Sequence, residues 1–490
     1  MHKALLKSPQ PKSEQLTLAE LTLITAQYPK VLSKEISLGN DGAMVKIPSA
    51  HLSKGEAIVK SITDLREFAD MLQTLTPNQA LLYGIPKHGI KRATIITTKQ
   101  YNADHKQSSV ITRSSKHFEW SSGPGVMMFD YDPDDETLTK QEVLELLYLV
   151  CPEVKDIDHL WWTSSSSNIS NNDTGKVLSE VTGQRIYLMV EDASDIPRVA
   201  KVVEERLWLE GHGKIKVSSS GAMLERVPFD MCVYQPSRLD FAAGASCVAP
   251  LQQQRGQPFL ISGQARLLNT KKALPENTPE MTAQVSALKI VKKSASKVIS
   301  ESNFKQYASA LKKKISVPDN IDCDIEGEIK NALAQYVLPP FWIIHVWDDV
   351  KFHEVRVEDI LNDKFKYHGM LCLDPIEPDY DNKRIVAQLF INQSSPCIFS
   401  FARGERTFEL NNVQYMMQLK GKLYDAVNQS LELLERRKQI FTFGGTIVTP
   451  VQNKLVNADR PKMKHMLGSM IQFVNGKVKC DPSNELVDGI

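Results

Sequence analysis

The chain has 490 residues, 42% of them hydrophobic and 24% charged, a length that allows about two to four domains and a composition that excludes a disordered polymer. Its 59 basic and 58 acidic residues leave a formal net charge of +1, so any grip on a polyanion has to come from local patches and not from a global field. The opening MHKALLKSPQPKSEQ lacks the apolar core of a secretory signal and no later run is long enough to cross a bilayer, which points to a cytoplasmic protein without a membrane partner. The seven cysteines are odd in number and never spaced C-x-x-C, so they read as reduced thiols.

From about residue 20 to 260, short apolar runs alternate with amphipathic windows, the rhythm of an α+β domain. Val126-Met-Met-Phe129 follows Gly123-Pro-Gly125 and predicts a buried strand ending at Asp130. A helix follows, with Thr139 and Glu142 as a capping box and Val143, Leu146, Leu147 and Val150 on one face. The serine run Ser164–Ser167, beside Asn168, Asn171 and Asn172, reads as a flexible loop, although the hydroxyls of Ser165 and Ser167 could bond a phosphate. Arg185–Val190 predicts another strand, and Asp195-Ile-Pro197 opens a helix with Val199, Val202, Val203 and Leu207 in a stripe that Gly211 ends. Lys214–Val217 and Val227–Tyr234 are expected to complete the sheet.

After residue 262 the texture changes. Lys271, Lys272, Lys292, Lys293 and Lys312–Lys314 lie in a stretch of weak strand signal, read as a basic helical connector over 263–334 whose lysines form a solvated face. A second, smaller α/β domain is expected over 335–490, with the apolar run Phe341–Ile344, a strand at Cys397–Phe401 and a long helix from about Tyr415 to Arg437. Asp374, Glu377 and Asp379 there serve as turn caps as readily as ligands. No G-x-x-x-x-G-K-[ST] occurs, so no P-loop motor is encoded.

Asp130-Tyr-Asp132 sets two acids one residue apart at the end of an apolar strand, where the period of two sends both carboxylates to one face. Like charges so placed suit a divalent cation with oxygen ligands, such as Mg²⁺ or Mn²⁺; taken alone, D-x-D is also compatible with a polar turn. Asp230 lies in the apolar run Phe229–Tyr234, and a buried carboxylate is costly unless paired or bound to metal. Three such acids would form the floor of a phosphoryl-transfer site.

Gly125–Asp132 resembles the first motif of the archaeo-eukaryotic primase and primase-polymerase superfamily, a hydrophobic strand ending in Asp-x-Asp or Asp-x-Glu. Phe229-Asp-Met-Cys-Val-Tyr-Gln-Pro-Ser-Arg238 resembles the third motif. The likeness extends through Trp161–Ser167, Gly183–Tyr187, Asp195–Arg198, Leu207–Leu209, Ser219–Ala222 and Arg238–Gly244, and over roughly residues 20 to 260 it is similar to the catalytic domains carried by phages, plasmids and integrative elements. It implies a primase-polymerase catalytic domain over 1–262 with an RRM-like core. Asp130, Asp132 and Asp230 would be catalytic, holding Mg²⁺ or Mn²⁺. Arg185, Ser165, Ser219, Arg226 and Arg238 would contact the nucleotide. The partners implied are a single-stranded DNA template and nucleoside triphosphates. Arg185 departs from the pattern, which has a histidine at the end of the second motif; arginine keeps a phosphate-binding fork but cannot titrate. Leu373–Tyr380, Ala387–Asn392 and Ile398–Leu410 resemble a segment that precedes the helicase in mobile-element primase-helicases, so a separate helicase is an expected partner. A non-catalytic replication-initiation protein on the same fold and a metal-dependent nuclease are the alternatives.

Overall fold

The computed structural model describes residues 18–39, 42–47, 52–97, 100–101, 109–133, 137–314, 325–348, 350–380, 383–392, 395–400, 402, 406–410, 415–418, 423–436, 440–443, 446–451, 454–475 and 478–490. The chain is mixed α+β and divides into two units, Met1–Lys214 with Glu225–Lys292, and Ile215–Leu224 with Lys293–Ile490. Among the described residues no helix is long and apolar enough to cross a membrane.

The first unit begins with β1 (Ala19–Tyr28), β2 (Lys54–Ile62), α1 (Leu65–Thr74), β3 (Gln79–Leu82), β4 (Arg92–Ile96) and β5 (Val110–Thr112), whose strands form one sheet in the order β3-β1-β2-β4-β5. The strand period of two splits β1 between two cores: Ala19 and Leu21 enter one, Ile24 and Ala26 the other.

The second sheet carries the acids. It is built from β6 (Gly125–Tyr131), α2 (Lys140–Val150), β7 (His159–Thr163), β8 (Gln184–Val190), α3 (Ile196–Leu209), β9 (Phe259–Ile261) and β10 (Leu267–Leu268). Its order is β6-β8-β7-β9, antiparallel throughout, with β10 running parallel to the end of β8. Every residue of β8 is buried, because both faces of this central strand are covered. α1 lies against one face, with the Phe68 ring edge-on to Tyr187 at 5.2 Å. Val143 and Leu147 of α2 and Val199, Val203 and Leu207 of α3 join the same core. The capping box at the start of α2 is formed, Thr139 N donating to the Glu142 carboxylate at 2.7 Å and Glu142 N to the Thr139 hydroxyl at 3.3 Å. The unit continues past residue 262, since Leu268, Ala273 and Leu274 belong to this core.

Val227–Tyr234 is not the strand that its apolar run predicts. Only Phe229 pairs, bridging to Tyr131, and the chain then makes a 3₁₀ turn over Met231–Val233. The reason is Asp230, whose Oδ1 accepts from Cys232 N at 2.9 Å and offers the backbone a turn in place of a ladder. Lys214–Val217 pairs with Met223–Arg226 alone, as a two-stranded hairpin outside the main sheet.

In the second unit a seven-stranded sheet runs Val337–Leu338, Arg406–Leu410, Cys397–Ser400, Ala387–Phe390, Leu371–Cys372, Ile343–Trp347, Phe352–Arg356, packed about Trp342, Ile344 and Phe408. Asp374 caps a turn there, accepting from Ile376 N, Glu377 N and the Ser400 hydroxyl at 3.1, 2.9 and 2.6 Å. The helix expected from Tyr415 starts only at Leu423 and reaches Arg436; Tyr415–Gln418 is a strand paired with Ile471–Asn475. A separate core about Leu434, Leu467, Phe473 and Leu486 holds this part together. The stretch read as a basic connector contains the 36-residue helix Pro279–Lys314.

One contact in the first unit clamps the chain that follows Asp230. Gly84, just after β3, accepts from the buried Thr22 hydroxyl at 2.7 Å. A Cβ at Gly84 would run into the carbonyl oxygen and side chain of Pro236. Gly84→Ala is therefore expected to cost about 1 to 3 kcal/mol through overpacking, at about 2 to 4 °C of melting temperature per kcal/mol in a domain of this size. Thermal denaturation followed by circular dichroism checks this, and an unchanged midpoint would remove the clamp.

Candidate functional site

Asp130 lies one residue before the end of β6, directly opposite Arg185 of β8 in the antiparallel register. Asp132 follows the strand and is exposed. Its Oδ1 lies over Gly183, where an added Cβ would come within 2.9 Å of it and 2.7 Å of the Ser164 hydroxyl. Asp230 is tied to Asp130 through the backbone, its N–H donating to the Asp130 carbonyl at 2.8 Å. The aromatic side chains beneath interlock, Phe129 against Phe229 at 5.4 Å and against Tyr234 at 6.2 Å between ring centres. The Tyr234 hydroxyl is buried without a hydrogen-bond partner; burial, and then the charges of Asp230 and Asp130, hold its pKa well above the usual value.

These acids share one electrostatic neighbourhood. Burial, the largest cause, and the charges of Asp132, Asp230 and Asp240 push the Asp130 carboxyl up to about 7, against the downward pull of Arg185. The opposing cation is close: Arg185 Nε donates to Asp130 Oδ1 at 3.4 Å. On its other side Arg185 Nη1 meets Asp240 Oδ1 at 2.5 Å. The two atoms are out of line for a hydrogen bond, and neither has another partner. Asp240 Oδ2 accepts from the hydroxyls of Tyr83 at 2.5 Å and Tyr187 at 3.1 Å. Reciprocal backbone bonds of 2.8 and 3.0 Å to Leu81 pin Asp240 to the edge strand β3. Arg185, Asp240, Tyr83 and Tyr187 are all buried. Burial works against the Arg185 charge, but Asp240 first and Asp130 second hold its pKa above the ordinary range.

The remaining expected contacts are spread more widely. Ser164–Ser167, read as a flexible loop, is buried and bonded inward: Ser164 N and the Ser167 hydroxyl reach the Gly183 carbonyl at 2.8 and 3.2 Å, and Lys34 Nζ reaches the Ser166 hydroxyl at 2.7 Å. Within it the Ser165 carbonyl accepts from Gln253 at 3.1 Å. Arg226 and Arg238 both bring positive charge to Cys232, two residues beyond Asp230, where burial and then Asp230 nevertheless push the thiol up to about 11. Ser219 is exposed at the tip between Lys214–Val217 and Met223–Arg226, in the segment that belongs to the second unit.

Sequence reasoning missed Asp240, Tyr83, Tyr187 and Arg255. Arg255 stacks on Trp162 at 3.5 Å and donates to the carbonyls of Ala242 and Thr163. Burial, reinforced by the nearby Arg185 charge, pushes its pKa down to about 10. Asp240 carried a usable signal, since it sits between Leu239 and Phe241 as Asp230 sits in its own apolar run.

The donor set consists of carboxylate oxygens, the chemistry that Mg²⁺ and Mn²⁺ take, and a guanidinium against Asp130 marks a place where the fold already stations a cation. Asp130, Asp132 and Asp230 thus offer the kind of donor atom that a divalent ion takes. Among the described residues, however, no three such side chains stand as a ready-made cage. Compared with protein-family models, curated proteins and solved structures, the chain matches none.

The raised Asp130 pKa has a stability consequence. The folded state keeps a proton that the unfolded chain releases near the ordinary value of 3.8, so stability falls as pH rises from there to about 7 and the penalty is complete above that. Asp130→Asn is expected to raise the melting temperature of the metal-free protein by several degrees at pH 8, with the gain vanishing toward pH 4. Calorimetry at the two pH values checks it, and a variant less stable than wild type at pH 8 would contradict the burial argument.

Proposed function

We propose that the first unit is a nucleotidyltransferase of the primase-polymerase type, adding nucleotides from triphosphates along a single-stranded DNA template. The observation that carries the reading is that Asp230 and Asp130, from two motifs distant in sequence, are joined by a 2.8 Å backbone hydrogen bond, with Asp132 two residues along the same chain. The element order supports it. Strand, helix, strand, strand, helix, then the Phe229 bridge beside β6, follows the βαββαβ arrangement shared by ferredoxin-like and RRM-like sheets.

In this reading Asp130, Asp132 and Asp230 hold Mg²⁺ or Mn²⁺, which when bound would neutralise the triphosphate and favour ionisation of the attacking 3′-hydroxyl. Asp230 is held in place by its own turn and by the Asp130 carbonyl. Arg226 and Arg238 supply positive charge on the Asp230 side, where the phosphates of substrate or template would lie. Replication of a mobile element or phage, with a separate helicase, is the setting that the resemblance suggests.

A second reading, a DNA-binding initiation protein without turnover, draws on a specific observation: Arg185 is buried between two carboxylates and so is not free to clamp a triphosphate in this arrangement. Extension of a labelled primer on single-stranded DNA, with Mg²⁺ or Mn²⁺ and either ribo- or deoxynucleotides, separates the two. Asp130→Ala and Asp230→Ala are each expected to lower incorporation by at least about a hundredfold while DNA affinity, set by lysine and arginine contacts and weakening with salt, changes less than about threefold. Salt-dependent binding with no extension by the wild type would favour the second reading; shortened strands would identify a nuclease.

A further inference from the structure

Arg185 has two counter-charges where one would satisfy it, and the two are held differently. Asp240 is fixed by its backbone bonds to Leu81 and by two tyrosine hydroxyls on one carboxylate oxygen. Asp130 is held by its strand and by the Asp230 N–H on its carbonyl, with no tyrosine hydroxyl on its carboxylate, and its side chain retains 14% of its exposure, against 1% for Asp240. The contacts differ as well: 2.5 Å to Asp240 and 3.4 Å to Asp130. The short contact is not a directed hydrogen bond, since Arg185 Nη1 and Asp240 Oδ1 are both left without one, although charged hydrogen bonds gain strongly from alignment. The guanidinium therefore lies between the two carboxylates, nearer to Asp240 but out of line with it.

We propose that Arg185 is a built-in cation that occupies Asp130 while no metal is bound, and that Asp240, cradled by Tyr83 and Tyr187, is the retainer onto which its guanidinium settles when a divalent cation takes Asp130. This rests on the reading of Asp130, Asp132 and Asp230 as metal ligands and adds to it a positioning residue, Asp240, that need touch neither metal nor substrate. The movement required is small, because both contacts already exist. The charge balance favours it: with Arg185 fully on Asp240, the Asp130 carboxylate is freed for the incoming ion and Arg185 Nη1 can gain the alignment it lacks.

The test is titration calorimetry of the full chain with MnCl₂ at pH 8 and no nucleotide. Wild type is expected to bind Mn²⁺. Asp240→Asn, which leaves Arg185 wholly to Asp130, should weaken binding about tenfold, and Arg185→Met should tighten it about tenfold. The decisive sample is the double variant: with Arg185 gone, Asp240→Asn should have little effect, because the retainer has nothing to retain. Tyr187→Phe keeps the packing but removes one donor from Asp240, so it should strengthen the hold of Asp240 on Arg185 and tighten Mn²⁺ severalfold, whereas a purely structural role predicts no gain. Far-ultraviolet circular dichroism verifies that each variant is folded, and Tyr187→Phe carries the test if the charge variants are not. If Asp240→Asn weakens Mn²⁺ equally with and without Arg185, it acts only as a distant charge and the proposal fails. Failure of Tyr187→Phe to tighten Mn²⁺ would overturn it too. Absence of any Mn²⁺ binding by the wild type would instead sink the metal-site reading itself.

Discussion

A guanidinium moved out of water loses several kcal/mol of hydration, and carboxylates buried beside it lose as much again, so such a group persists only where the surrounding fold holds it firmly. Arg185 is that group in this protein. It stands on the central strand of the acid-bearing sheet, and the carboxylates that compensate it come from two directions: Asp130 from the neighbouring strand and Asp240 from a segment paired with the edge of the other sheet. Tyr83, just beyond that edge strand, completes the contact. Forming this cluster therefore requires both sheets and the chain from Phe229 to Asp240 to be in register at once. Loss of Asp240, the closer and more deeply buried of the two aspartates, would leave the guanidinium without an adequate partner, a larger penalty than the pair itself is worth.

The parts of this arrangement that sequence could reveal are the local ones. β6, β8, α2 and α3 follow from apolar runs, a capping box and a Pro-led helix start, since each is decided by neighbours within a few residues. The acids were legible for the same reason, because a carboxylate in an apolar run is conspicuous. Where a side chain competed with the backbone the reading failed: the Phe229–Tyr234 run has strand composition, but the Asp230 carboxylate caps a turn within it. The serine run failed in the other direction. Its composition is that of a mobile loop, yet Gly183, Gln253 and Lys34, all remote in sequence, bury and bond it. Asp240 and Tyr83 are separated by 157 positions, and nothing in a linear pattern encodes that meeting.

The identity of residue 185 also constrains what could control the site. A histidine at position 185 would move between charged and neutral forms near neutrality. Arginine does not. Its charge is permanent, and Asp240 and Asp130 hold its pKa higher still. A histidine there could release Asp130 simply by losing its proton, so the availability of the carboxylate would follow pH. With arginine, proton loss offers no such route; under the proposal made above, Asp130 is relieved of its cation by displacement, when another positive charge competes for the same oxygen and Asp240 receives the guanidinium. An arginine at this position without a buried partner of its own would block the acid it faces. That makes Asp240 the partner a permanent cation at 185 requires, and the two positions are best regarded as a single electrostatic unit.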